Sequence, residues 1–431
     1  MPFPTDKILP RAYTAATVIF YISVFCSLRA ISSIAMITLI VISLVGIRLA
    51  RGRWWAPEYV SLFSVGCALF FLLQIIALLY TVNIKEGTRA IELKTVLLAA
   101  PVMSVYLLHI GRGNWQRLMK AYVYSLVAVT LYCFVYALRH YWTTGDISLF
   151  FYHPLVAAVE QHAVQFAIFV LGAILFLKES YNKRQYCIGR GWHIAIMIWL
   201  LLFLLLLSSK LVIMVTAAFF LYELVLRTRF ARSPRKRALS FAAILVAITL
   251  LFTVNNPVRN RFMVEMSGKM ELIGRKQFNP GDAFSGTQFR LLQWRFTGEI
   301  LNEQKRWWLG LSPGDVQECL DRKYIAMNMY VGGNKDNPTG FLGYNSHDQF
   351  LQSVLANGIP GLGAFLLACA GLVVMAVRKK DVRLSFMVIM LLLFSFTESV
   401  LETQYALVLF TCLPLLFYYR TGEEEHRPTL V

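Results

Sequence analysis

The sequence predicts an all-α polytopic membrane protein with about 12 transmembrane helices and one large, mainly helical outer loop before the tenth. Hydrophobic residues make up 57% of its 431 residues and charged residues 15%, with a mean hydropathy of +0.57. That few charges cannot cover the apolar surface of a water-soluble domain. The apolar residues also fall in runs of roughly 20, the length of a helix that crosses a bilayer core. Helices satisfy their own backbone groups in lipid, and a barrel would show short alternating strands instead. Finally, one long polar stretch, Asn255 to Gln349, interrupts the hydrophobic pattern.

Hydropathy places the spans at about 12–28, 31–49, 57–81, 89–110, 117–139, 161–178, 193–209, 210–227, 238–254, 350–377, 383–398 and 402–419. The domains that follow are spans one to nine over 1–254, an inserted cap over 255–349, and spans ten to twelve with a tail over 350–431. The first run follows Lys7 and Arg11 as a signal peptide would, yet no small-residue cleavage site precedes the next span, so it reads as a retained helix.

The net charge of +18 follows topology and does not point to nucleic acid. The termini and the loops after even-numbered spans hold 24 Lys and Arg residues, among them Arg227, Arg229, Arg232, Arg235, Lys236 and Arg237. The short odd-numbered connections hold 4: Arg29, Lys85, Arg89 and Arg139. Positive charge stays on the cytoplasmic side, so both termini are expected there and the 255–349 cap outside. Seven cysteines, mostly within apolar runs and without CxxC or zinc-finger spacing, point to neither a metal site nor a disulfide framework.

Within the cap, Phe284 to Leu301 places Phe289, Leu292, Phe296 and Ile300 at helical spacing behind Ser285 or Thr287 as N-cap, an amphipathic helix. Asn328 to Ser346 is rich in glycine and reads as a mobile loop suited to a lid. It leads to GYNSHDQFLQ, where His347 and Asp348 stand before a new apolar run.

His347 is the sharpest chemical candidate. An imidazole near its unperturbed pKa of roughly 6.5 is a competent base at neutral pH, although a histidine there could also simply cap the helix. Asp348 reads as a first-turn acid favoured by the helix dipole. Arg290 reads as a cation in the first turn of its helix, where it opposes the dipole unless an anion binds, and otherwise it is a solvated arginine. Lys210 interrupts a long apolar run after Ser208 and Ser209, marking a hairpin or broken helix. A charge there is either functional or snorkelling to the interface. His162, Arg89 and Glu398 are further near-membrane candidates, and Lys94 with Glu92 has the look of a structural ion pair. No Walker loop, HExxH, GxSxG or dinucleotide fingerprint occurs, and the cap has no DxD-like pair to hold a divalent ion.

The segment YNSHDQFLQSVLANGIPGLGAFL, Tyr344 to Leu366, resembles the bacterial O-antigen ligase and polymerase family, through an Asn-x-His element at Asn345 and His347 followed by a Gly-Ile-Pro-Gly helix. LLSSKL, GTQFRLLQW, EQHAVQFAIF and FTESVLETQ are similar to other elements of that family. The resemblance implies a GT-C-like inner-membrane glycosyltransferase that takes a glycan from undecaprenyl diphosphate and transfers it, without metal or cofactor, to a lipid A-core hydroxyl on the periplasmic side. His347 falls on the family's essential histidine and Arg290 on its outer-loop arginine. Lys210 stands where ligases carry an arginine, which keeps the charge and gives up the bidentate fork. The implied partners are the carrier-linked glycan, the lipid A-core acceptor and membrane lipids, with no nucleic acid and a possible monomer. An O-antigen polymerase or protein O-oligosaccharyltransferase would use the same donor. A flippase for the carrier lipid also suits twelve spans, although neither the missing inverted repeat nor the large cap favours it.

Overall fold

The computed structural model describes residues 5–49, 61–99, 102, 112–186, 189–224, 259, 263, 270–333 and 339–418. Among them no strand is present and the regular elements are helical. The longer helices are α1 (Thr5–Phe25), α2 (Arg29–Leu49), α3 (Leu62–Ala77), α4 (Ile84–Lys94), α5 (Arg112–Thr144), α6 (Ala163–Asn182), α7 (Arg190–Leu206), α8 (Lys210–Tyr222), α9 (Gly286–Glu303), α10 (Val316–Ala326), α11 (Gln349–Lys379), α12 (Val382–Ser395) and α13 (Gln404–Tyr418).

Five stretches, Arg29–Gly46, Leu62–Tyr80, Trp115–Thr144, Ala163–Asn182 and Gln349–Lys379, are long and apolar enough to cross a membrane. Five shorter apolar helices accompany them. Ten of the expected spans overlap one of these segments. The expected span at 238–254 lies outside the described residues, as does most of 100–110. The start of the fourth expected span differs from the sequence reading. There α4 is an 11-residue amphipathic helix capped by the Asn83 side chain, because Lys85, Glu86, Arg89 and Glu92 crowd its solvent face.

Helix α6 is central, with 89% of its span buried. Its neighbours reveal which ends of the bundle coincide. Asn182, at the end of α6, donates to Glu223, just past α8, at 3.1 Å, so α6 and α8 run parallel. Arg383, at the start of α12, pairs with Glu179 near the end of α6, so α12 runs the other way. The start of α6, the start of α8 and the end of α12 therefore share one end of the bundle. The start of α11 joins them through Leu401 N–H to Gln349 Oε1 at 2.7 Å and through Phe350 stacked on Phe396.

The cap has its own core. Phe289, Leu292, Phe296 and Ile300 of α9 are buried against Val316, Leu320 and Tyr324 of α10, and Val354, Leu355 and Ala356 of α11 join them. The helical stripe read from the sequence is thus the packed face of α9, and Ser285 is its N-cap, in a capping box with Gln288.

Helix α11 breaks where the cap meets the bundle. Asn357 and Gly358 leave helical geometry, Gly358 with φ +64°, and Pro360 supplies no N–H for the Ala356 carbonyl. The freed groups pair with the 307–312 loop: Leu311 N–H with Leu355 O at 2.7 Å, Ser312 N–H with Ala356 O at 3.0 Å, and Ile359 N–H with Trp307 O at 2.9 Å. The Asn-Gly-Ile-Pro sequence therefore opens a helix so that its backbone can hold the cap. A second anchor is Asp315, whose carboxylate accepts from Val82 N–H at 2.9 Å and Asn83 N–H at 2.8 Å. Burial works to raise its pKa, but those N–H groups and the Ser312 and Thr81 hydroxyls outweigh it and keep Asp315 below the usual carboxylate range.

Candidate functional site

At the shared end of the bundle, three titratable side chains from three segments meet. His347 precedes α11, Glu398 lies in the α12–α13 connection, and Arg290 projects from the second turn of α9. His347 Nδ1 is 3.1 Å from Glu398 Oε2, and Arg290 Nη2 is 3.9 Å from Glu398 Oε1. Arg290 also donates from Nε and Nη2 to the Thr397 carbonyl, at 3.1 and 3.0 Å, which fixes the plane of its guanidinium. Three of its five N–H donors are left over from these two bonds.

His347 has φ +45°, a left-handed conformation that costs a non-glycine residue about 1–2 kcal/mol. The neighbouring side chains hold it there. Asn345 Oδ1 accepts from the His347 N–H at 2.9 Å, an Asx turn, and also from Ser399 Oγ at 3.2 Å. Ser346 Oγ reaches the Asp348 carbonyl at 2.8 Å and Gln352 Oε1 at 2.9 Å. The imidazole lies edge-on to Phe289 and beside Tyr344, with ring centroids 5.8 and 5.5 Å away. Asn345 is thus a positioning residue for the histidine.

Two expectations about this region need correction. The helix cap before α11 is Asp348, whose Oδ1 accepts from Phe350 N–H at 2.8 Å and Leu351 N–H at 3.1 Å. That leaves His347 free of the capping role and makes Asp348 more than a dipole-favoured acid. Arg290, with α9 beginning at Gly286, stands beyond the first turn, and the group it meets is a carbonyl and a carboxylate of the α12–α13 connection.

The local electrostatics are unequal. Burial works to raise the pKa of Glu398, yet the His347 hydrogen bond and the charges of His347, His162 and Arg290 outweigh it, so Glu398 is held below its usual value. Asp348 goes the other way. Burial pushes it up to about 6, against the Leu351 and Phe350 N–H groups, the Trp294 side chain and the Arg290 charge.

Residues 195–366, from α7 through the cap into α11, match the family model described as O-antigen ligase. Over that segment the chain is similar to the O-antigen ligase/polymerase family. That similarity supports ligase/polymerase-type glycosyl transfer, and the family implies a lipid-linked glycan and a membrane setting. No curated protein matches the chain.

Within this ligase/polymerase frame, the matched segment contains Lys210, Arg290, Asn345 and His347. Glu398, His162 and Arg89 lie outside it and take their places through the fold. Lys210 opens α8 after Ser208, whose φ of +50° marks the break expected from the sequence. Helix α8 packs on α12 and α6, so Lys210 stands at the same end of the bundle as the His347 cluster. His162 precedes α6, its ring 4.6 Å from that of His153, and its charge acts on Glu398. Arg89 is not brought to the cluster. It is exposed on α4 beside Glu86, at 3.8 Å. Lys94 pairs with Glu402 at 2.9 Å, and not with the Glu92 expected from the sequence. Sequence reasoning missed Thr397, Ser399 and Gln349. The last is a buried amide in an apolar run, a signal that was legible but had no visible partner.

Proposed function

We propose that the protein is an O-antigen ligase, moving a glycan from undecaprenyl diphosphate to a sugar hydroxyl of lipid A-core on the periplasmic side of the inner membrane. The observation that carries this reading is the His347–Glu398–Arg290 cluster, in which a base, its orienting carboxylate and a partly uncommitted guanidinium meet.

Glu398, held ionised, accepts from Nδ1–H of His347 and leaves Nε2 as the basic nitrogen. As the acceptor oxygen attacks the anomeric carbon, its proton passes to Nε2. The bond from that carbon to the diphosphate breaks, and the leaving group departs with the electron pair. Direct displacement inverts the anomeric centre. Negative charge grows on the diphosphate, and the cations preorganised for it are Arg290 and, at the same end of the bundle, Lys210. In this reading side-chain cations do the work a divalent ion does elsewhere. The twelve-span topology, cytoplasmic termini and outward-facing cap belong to the same proposal.

The test is purified protein with carrier-linked glycan and lipid A-core in detergent containing chelator. Covalent transfer to lipid A-core is expected, and His347→Ala should slow it about a hundred- to ten-thousandfold while the protein stays folded. Glycan lengthening on the carrier would make the protein a polymerase. No product with any acceptor, together with movement of the carrier lipid between leaflets, would replace the enzyme with a flippase.

A further inference from the structure

Between α2, α4, the cap helix α10 and the start of α13 lies a cavity of about 1400 Å³. One stripe of α2 forms a wall: Arg29, Ser32 and Ser33 at the outer end, then Met36, Ile37 and Ile40. At 1.5 Å per residue the stripe runs about 16 Å, changing from hydrogen-bonding to apolar along one groove. Gln317 and Asp321 of α10 cover the polar end. Ile37 and the adjacent Ile34 are 61% and 65% exposed, so α2 presents bare apolar surface beside the groove. An amphiphile with its head under the cap and its chain along α2 matches this gradient.

Charge decides what the head is. Six carboxylates, Glu86, Glu92, Glu160, Glu318, Asp321 and Glu402, line the cavity against two guanidiniums, Arg29 and Arg89, so the lining is acidic even with His162 counted as a cation. Lys94 neutralises Glu402 at 2.9 Å and Arg322 pairs with Glu318, and the lining is still acidic. A diphosphate would be repelled there. Sugar hydroxyls, by contrast, donate to carboxylates and accept from guanidiniums such as that of Arg29. The volume exceeds the roughly 300–1,000 Å³ of a small-ligand pocket and leaves room for several rings. The cavity also adjoins the reacting centre. His162 lines it and acts on Glu398, and Gln165, also in the lining, donates to Thr403 at 3.2 Å.

We infer that this cavity is the saccharide subsite for a membrane-anchored glycolipid, holding its hydroxyl-rich portion while the phosphates bind at Arg290 and Lys210. The inference rests on the transfer reading and adds to it which surface holds the sugars. Two sources share that chemistry: the glycan on the carrier and the core sugars of the acceptor.

The experiment is native mass spectrometry of the full chain with four probes: undecaprenyl diphosphate with and without its oligosaccharide, and lipid A with and without its core. Ala90→Trp, which fills the cavity from α4, and Glu318→Gln, which removes an acceptor, should weaken at least one sugar-bearing probe about tenfold and leave its sugar-free counterpart unchanged. The affected pair identifies the source. If Ala90→Trp does not fold, Glu318→Gln carries the measurement. The inference is overturned if folded variants bind both sugar-bearing probes like the parent, or lose the sugar-free probes equally. Binding needs no turnover, so a protein that makes no product would sink the transfer reading and leave this measurement standing.

Discussion

Helix α12 has a charged cluster at each end, and the two are built to opposite plans. At its start Arg383 lies between Asp381 and Glu179, the three side chains 8%, 5% and 2% exposed. At its end Glu398 lies between His347 and Arg290, at 21%, 27% and 30%. The first cluster is sealed, with each charge answered by another. The second is reachable, its histidine in a left-handed conformation and its arginine only partly committed. Charge near a membrane span is therefore not by itself a sign of chemistry. Access and unused hydrogen-bonding capacity are what set the proposed site apart from the structural cluster.

The comparison can be broken at either end. Arg383→Ala leaves buried Asp381 without its counter-charge and Glu179 with Lys183 alone, and should cost about 3–5 kcal/mol of stability, measured by thermal unfolding in detergent, while activity per folded molecule stays near the parent's. Glu398→Gln should do the reverse, with near-normal stability and transfer slowed about a hundredfold, because the imidazole loses the carboxylate that sets its tautomer. If the two variants gave the same profile, the distinction between the clusters would fail.

Smaller effects sharpen it. Gly358→Ala drives a Cβ into the Trp308 carbonyl at φ +64°, and should cost about 1–3 kcal/mol through conformation alone, read as a lowered melting temperature. Asp348→Asn should act least, and only through pH. Its ordinary value is 3.8 and its folded value about 6, so between those the folded protein holds a proton that the unfolded chain has released. Stability contributed by Asp348 therefore falls as pH rises through that window. Asparagine still caps α11, and the variant should lose this pH dependence, seen by comparing melting temperatures at acid and neutral pH.

The site was half legible. His347 stood out because a titratable residue meets an apolar run, and Arg290 because a cation lay near a helix start. Both signals are local. Glu398 was visible as one of several near-membrane acids, but nothing near it in sequence pointed to His347, 51 residues away. The α11 break was present as Asn357, Gly358 and Pro360, yet its purpose depends on the 307–312 loop that fills it. Arg89 shows the same limit: its charge is local, but the rotation of α4 that turns it to the cavity lining and not to the His347 cluster is not.

Taken alone, the amino-acid order determined a helical membrane protein, an amphipathic cap helix on Phe289, Leu292, Phe296 and Ile300, and a histidine where the cap meets an apolar run. These follow from periodicity and hydropathy, which each segment carries within itself. Only the tertiary structure decided that Glu398 serves His347, that Asp348 and not the histidine caps α11, and that Arg290 is held by the Thr397 carbonyl. Those pairings depend on how separate helices rotate and slide against one another. Packing sets that geometry, and no single stretch of chain encodes it.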